Sequence, residues 1–223
     1  MPNWAYNTVY FTGDAEKLEA LKEQVGAPTQ IPGVQYVHGE DGKVLLDADN
    51  NVVKENTTHD DENPVFSFWN IVRPNPEEYE EYRDQGWYGW NNAHWGTKWD
   101  AGDVEVIEES GTGWTIQFRT AWAPPQEVLV ALSEQHPDVS IRNEWYEEQG
   151  FGAHQEYSGG IHWLDKEWDI PSSHAEYIEN LTEEDCPCNF GYDDDELPFD
   201  DCPRSKNPTQ IAVEELEKVS ELI

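Results

Sequence analysis

The chain has 223 residues and 37% hydrophobic residues, a composition that suits one folded core carrying polar appendages. Its 13 Lys and Arg stand against 47 Asp and Glu, a formal net charge of −34 with no basic tract. Phosphate contacts need clustered cations, so direct nucleic-acid binding is disfavoured, and no apolar run approaches the roughly 20 residues of a membrane span.

In chain order, Asn7 to Thr12 reads as a β-branched and aromatic first strand stopped by Gly13-Asp14. Leu18, Leu21 and Val25 recur at helical spacing between a cap at Asp14 and the stop Gly26/Pro28, which predicts a first helix over 15–25. Residues 31–57 read as an inserted hairpin, with 34–37 and 43–46 flanking the turn 38–42. Inside it Asp47, Asp49 and Asn51 have the spacing of the first EF-hand ligands. Val52 and Thr58 stand where that loop needs its glycine and glutamate, so the motif is rejected.

The run 65–72, VFSFWNIV, carries the strongest strand signal and is expected to be a central strand, with helix forbidden until after Pro76. A short acidic helix over 77–83 then leads into GWYGWNNAHWGTKWDA, residues 86–101, which holds four of the 11 tryptophans. Segments 103–108 and 114–120 flank Ser110-Gly111-Thr112-Gly113 as a hairpin. Pro125 opens a second helix carrying Val128, Leu129, Leu132 and His136. A last strand pair covers 138–147 and 153–163, with Gly159-Gly160 as a bulge.

Helices set among antiparallel strand signals imply an α+β fold of ferredoxin-like topology, an antiparallel sheet with two helices on one face, over residues 1–163. Residues 164–223 form an acidic extension, poor in aliphatics, that ends in a helix over 208–223. It holds Asp193, Asp194, Asp195, Glu196, Asp200 and Asp201. It also holds the three cysteines Cys186, Cys188 and Cys202, which with His174 make a poor zinc set, because only one residue separates the first two ligands. So few cysteines and no leader-like start point to a cytoplasmic protein, and no cofactor is expected.

The opening Met1-Pro2-Asn3-Trp4, the strand Phe66-Ser67-Phe68, Asn92, the block Trp95 to Ala101, and Thr120-Ala121-Trp122 before Pro124-Pro125 together resemble the YubB ferredoxin-like family of phages and conjugative plasmids. The resemblance covers roughly residues 1–160. It implies a ferredoxin-like fold in a mobile-element accessory protein of uncharacterised activity. It implies no iron–sulfur cluster, because the name describes a topology and a cluster would need four cysteines.

Two functions compete. A carboxylate-rich surface has the charge pattern of a nucleic-acid backbone and fits a host protein with a basic cleft, so one reading is a non-enzymatic inhibitor acting by mimicry. The other is an enzyme or ligand binder centred on Trp95 to Asp100, its acidity then reflecting a salty environment or plain solubility. Candidate binding residues are Asn3, Trp4, Asn92, Trp95, Lys98, Trp99, Asp100 and Trp122, since Trp beside a charged group is the composition of a binding hot spot. The same residues would equally plug a sheet edge. A catalytic version recruits His94 with Lys98 and Asp100, and a metal version His154, Glu156 and His162.

Overall fold

A computed structural model describes residues 3–169. A six-stranded sheet runs in the order β4-β5-β1-β6-β7-β8, from β1 (Trp4–Thr12), β4 (Gly102–Glu109), β5 (Gly113–Ala121), β6 (Ser140–Glu147), β7 (Gly152–Ser158) and β8 (Ile161–Trp168). β1 is antiparallel to both neighbours, facing β5 in the register Trp4↔Ala121 to Thr12↔Gly113 and β6 from Ala5↔Glu147 to Thr12↔Ser140. With α1 (Ala15–Val25) leaving β1 and α4 (Gln126–Gln135) joining β5 to β6, the core is the ferredoxin-like arrangement read from the sequence.

Alternation along β1 buries Ala5, Asn7, Val9 and Phe11 and turns Tyr6, Thr8 and Tyr10 the other way. Val9 and Phe11 share one core with Trp114, Ile116 and Phe118 of β5, Ile141 of β6, Leu18, Leu21 and Val25 of α1, and Val128, Leu129 and Leu132 of α4. The period-2 and period-3.6 patterns therefore meet on one face. Asp14 does sit at the N-cap of α1, but its backbone carbonyl, not its side chain, accepts from Lys17 and Leu18 N–H.

Four expectations fail. The run 65–72 is no strand: only a 3₁₀ turn, Phe68–Asn70, forms there. Its polar backbone finds partners that a neighbouring strand would otherwise supply. Asp100 accepts from Phe68 N–H at 2.7 Å, Ser67 N–H donates to Val25 O at 3.1 Å, and Asn70 Nδ2 ties the segment to Val25 O and Ala27 O. Phe66, Phe68, Trp69 and Ile71 thus plug the core on several sides at once.

The inserted hairpin exists, but its arms are β2 (Thr29–Tyr36) and β3 (Lys54–Asp61), paired Thr29↔Asp61 to Tyr36↔Lys54. The polar sequence KENTTHDD hides the second arm. The predicted turn is a smaller one closed by the bridge His38↔Val44 near the tip. Gly159-Gly160 is not a bulge either: with φ of 55° and 78° these glycines make the turn between β7 and β8, a left-handed path that side chains disfavour. The acidic helix near 77–83 is broken into a 3₁₀ turn Pro76–Glu78, a single turn α2 (Tyr79–Glu81) and a π-turn Tyr82–Gly86, before α3 (Trp87–His94).

The described residues divide into two units, 3–148 with 153–166, and 149–152 with 167–169. In the second, Trp168 is buried and its Nε1 donates to Gly150 O at 2.9 Å. The expected terminal helix over 208–223 lies outside the described residues. No helix among the described residues is long and apolar enough to cross a membrane.

Candidate functional site

The tryptophan-rich block divides into an inner and an outer half. Inside, Trp95 is 1% exposed, donates Nε1–H to Val72 O at 2.8 Å, and meets Phe68 and Trp90 edge to face. The Asp100 carboxylate is enclosed by donors: Ser67 Oγ at 2.6 Å, Phe68 N and Ala101 N each at 2.7 Å, and Trp69 N at 3.5 Å. Burial still raises its pKa above the usual carboxylate value, with the four donors pulling the other way. Asn91 continues the network, accepting from Tyr82 OH at 3.1 Å and donating to Lys98 O at 2.9 Å, and burial pushes the Tyr82 phenol up to about 12. Trp95 and Asp100 are therefore internal struts. Asn92 is local too, its side chain donating to Tyr88 O within α3 at 2.6 Å.

Outside, Lys98 rises from the same turn and lays its ammonium over Trp99 at 4.2 Å, Trp122 at 5.6 Å and Tyr88 at 5.8 Å from the ring centroids. It makes no ion pair among the described residues. Trp4 packs on Trp99 with centroids 5.9 Å apart, and the Arg119 guanidinium covers the Trp4 ring at 4.5 Å while pairing with Asp103. Tyr6, opposite Arg119 in the β1–β5 register, stacks on Tyr146 at 5.2 Å.

The rings stay open to solvent: Trp99 is 38% exposed, Trp122 40% and Tyr88 49%. Trp122 also holds φ at 70°, a left-handed backbone that costs a bulky residue on the order of 1–2 kcal/mol, and its N–H donates to Asn3 O at 2.9 Å. Of the eight predicted residues, Asn3, Trp4, Lys98, Trp99 and Trp122 converge on this ridge; Trp95, Asp100 and Asn92 do not. Tyr88, Arg119 and Tyr6 were missed. Arg119 meets Tyr6 through the β1–β5 register, which no local pattern records, and the first strand read from the sequence starts only at Asn7.

The catalytic trio does not assemble. The His94 ring stacks on Trp90 at 4.2 Å and its Nδ1 bonds to the carbonyl of Trp90, a contact that puts the proton on Nδ1, while Asp100 is enclosed and Lys98 lies on aromatic faces. Nor does the histidine–glutamate set. His162 stacks on Tyr157, whereas His154 and Glu156 alternate with Tyr157 along β7. Among the described residues no three His, Cys, Asp or Glu side chains group as metal ligands. The Asp47 motif is an Asx turn in which Oδ1 accepts from Asp49 N and Asn51 N, each at 2.9 Å, and these bonds lower its pKa. His174, the three cysteines and Asp193 to Asp201 lie outside the described residues.

Residues 94–189 match the family model described as a ferredoxin-like domain in Api92-like protein. The structure is similar to the crystal structure of a protein Api92 from Yersinia pseudotuberculosis, with a TM-score of 0.53 and 11% sequence identity over 77% of this chain and 99% of that one. That likeness concerns the fold. No curated protein matches the chain in sequence.

Proposed function

We propose that this chain is a non-enzymatic binding protein that acts by occupying a partner protein, and that the ridge of Trp4, Tyr88, Lys98, Trp99 and Trp122 is its anchor. The observation that carries the reading is Lys98 without a carboxylate partner, held over three exposed rings. On a chain of formal charge −34, a cation displayed this way marks a surface unlike its surroundings. Aromatic and cationic anchors of this kind dominate binding energy once desolvated.

The acidity supports a partner with a basic cleft, steered in by long-range attraction and then gripped at the ridge. The residue resemblance to phage and plasmid proteins fits a mobile-element accessory protein acting on a host target. Mimicry through Asp193 to Asp195 is a separate reading that rests on charge alone.

The test is capture of binding proteins from host lysate by the purified chain, followed by affinity measurement with variants. Lys98→Ala and Trp122→Asn are expected to weaken the captured complex at least tenfold while leaving the thermal melt within a few degrees. Charge reversal at Asp193, Asp194 and Asp195 reports on mimicry. A complex untouched by the ridge variants but lost on charge reversal would replace the anchor with the acidic extension.

A further inference from the structure

The inserted hairpin is more than decoration, because it builds a cleft of about 460 Å³ against α3. Its walls include Tyr36 and His59 from the hairpin, Tyr82 and Arg83 from the π-turn, and Trp87 and Trp99 from the tryptophan-rich block. A volume of several hundred Å³ walled by five Tyr and Trp rings and the aliphatic residues of β2, with four polar side chains among them, has the build of a small-molecule site. The polar groups lining it are almost all committed. Arg83 is held by Asp84 and Glu80, Asn91 spends both ends of its amide, and the Asp100 oxygens are filled by four donors.

His59, a solvent-exposed residue at the cleft's rim, is the exception: its imidazole nitrogens have no protein hydrogen-bond partner among the described residues. Its place depends on Gly33 across the hairpin, where a Cβ would stand 2.8 Å from His59 Nε2 and 2.9 Å from Cδ2. Gly33 leaves room for the imidazole, and a side chain there would displace it.

The geometry points to a binding site for a small, flat, uncharged aromatic or heteroaromatic molecule, stacked among Tyr36, Trp87 and Trp99 with one polar edge on His59. The class follows from the lining. Aromatic walls favour a flat ring, one open imidazole asks for one hydrogen-bonding edge, and the only cation lining the cleft, Arg83, is paired, while Lys98 and Lys54 lie against the Trp99 and Tyr36 rings without lining it. The surrounding charge of −34 opposes an anion further. The cleft shares Trp99 with the ridge, but Gly33, His59 and Trp87 are not ridge residues, so variants at these three test the cleft without touching the proposed anchor.

The experiment titrates the full-length protein with indole and with indole-3-acetate, following backbone amides of the hairpin and tryptophan side-chain signals by NMR. Indole is expected to shift the signals of residues 31–36, His59 and Trp87 and to bind more tightly than indole-3-acetate. Gly33→Ala and Trp87→Ala should each weaken indole at least fivefold, with the amide spectrum outside the cleft preserved. His59→Gln, which keeps a polar side chain at this position, should weaken it two- to threefold. Tighter binding of indole-3-acetate would overturn the uncharged class. Absence of binding at millimolar indole, or equal binding by Trp87→Ala and wild type, would overturn the site.

Discussion

At the scale of single residues, Asp100 shows how a side chain with catalytic composition ends as a strut. Its two oxygens face only donors, Phe68 N and Ala101 N on Oδ1, Ser67 Oγ and Trp69 N on Oδ2. In Asp100→Asn one amide orientation turns the new NH₂ on Phe68 N and Ala101 N, and the other turns it on Trp69 N and on Ser67 Oγ, whose hydroxyl must then rotate from donor to acceptor. The expected loss is about 2–3 kcal/mol in urea denaturation, the cost of leaving buried donors unmet. A loss under about 0.5 kcal/mol would mean the carboxylate holds nothing. Trp122 offers the converse test. Because its φ is 70°, Trp122→Gly should be more stable than Trp122→Ala by roughly 1 kcal/mol, even though glycine loosens the unfolded chain; the reverse order would remove the strain. The block's concentration of aromatic and charged groups was legible in its residue types. Its division into Trp95 and Asp100 inside and Lys98 and Trp99 outside was not, since all four sit in one short irregular turn with no period to sort them.

Among the elements, α1 and α4 are joined by a polar clasp that helical periodicity does not reveal. Gln24 Oε1 bonds to His136 Nε2 at 2.8 Å, while Gln24 Nε2 reaches Gln135 Oε1 and Asn70 O. Burial lowers the His136 pKa below its ordinary 6.5, so the folded state favours the neutral ring. The stability this contributes is present above pH 6.5 and is lost as pH falls through the lower folded value. Comparing His136→Gln with wild type subtracts the many carboxylates: the wild-type advantage in urea midpoint should shrink between pH 7.5 and pH 5, and a pH-independent difference would refute the assignment. The strand misreading at 65–72 has the same root. Apolar content was legible, but the hydrogen-bond partners that let this run avoid a sheet come from Asp100 and Asn70, and only the fold brings Asp100 there. β4 shows what an edge does with charge: exposed Glu105, Glu108 and Glu109 and two register shifts guard it against pairing with another chain.

For the whole molecule, a formal charge of −34 makes salt act in opposite directions on folding and on association. Raising NaCl from about 10 mM to 150 mM shortens the Debye length from roughly 30 Å to 8 Å, which relieves self-repulsion and screens attraction to a basic partner. The melting temperature should therefore rise while the association rate falls. A protein that folds only in molar salt would instead point to a saline habitat as the origin of the acidity. By itself, the sequence determined the ferredoxin-like order of elements, the two packed helices and the acidic character, because those depend on periodicity, turn residues and summed charge. Tertiary structure alone decided which tryptophans became core and which became surface, where the polar arm of the hairpin paired, and that a run of apolar residues would plug the core rather than join the sheet. Each of those outcomes turns on a partner distant in sequence, such as Asp100 for Phe68, Asp61 for Thr29 and Trp4 for Trp99, and no local pattern records such a meeting.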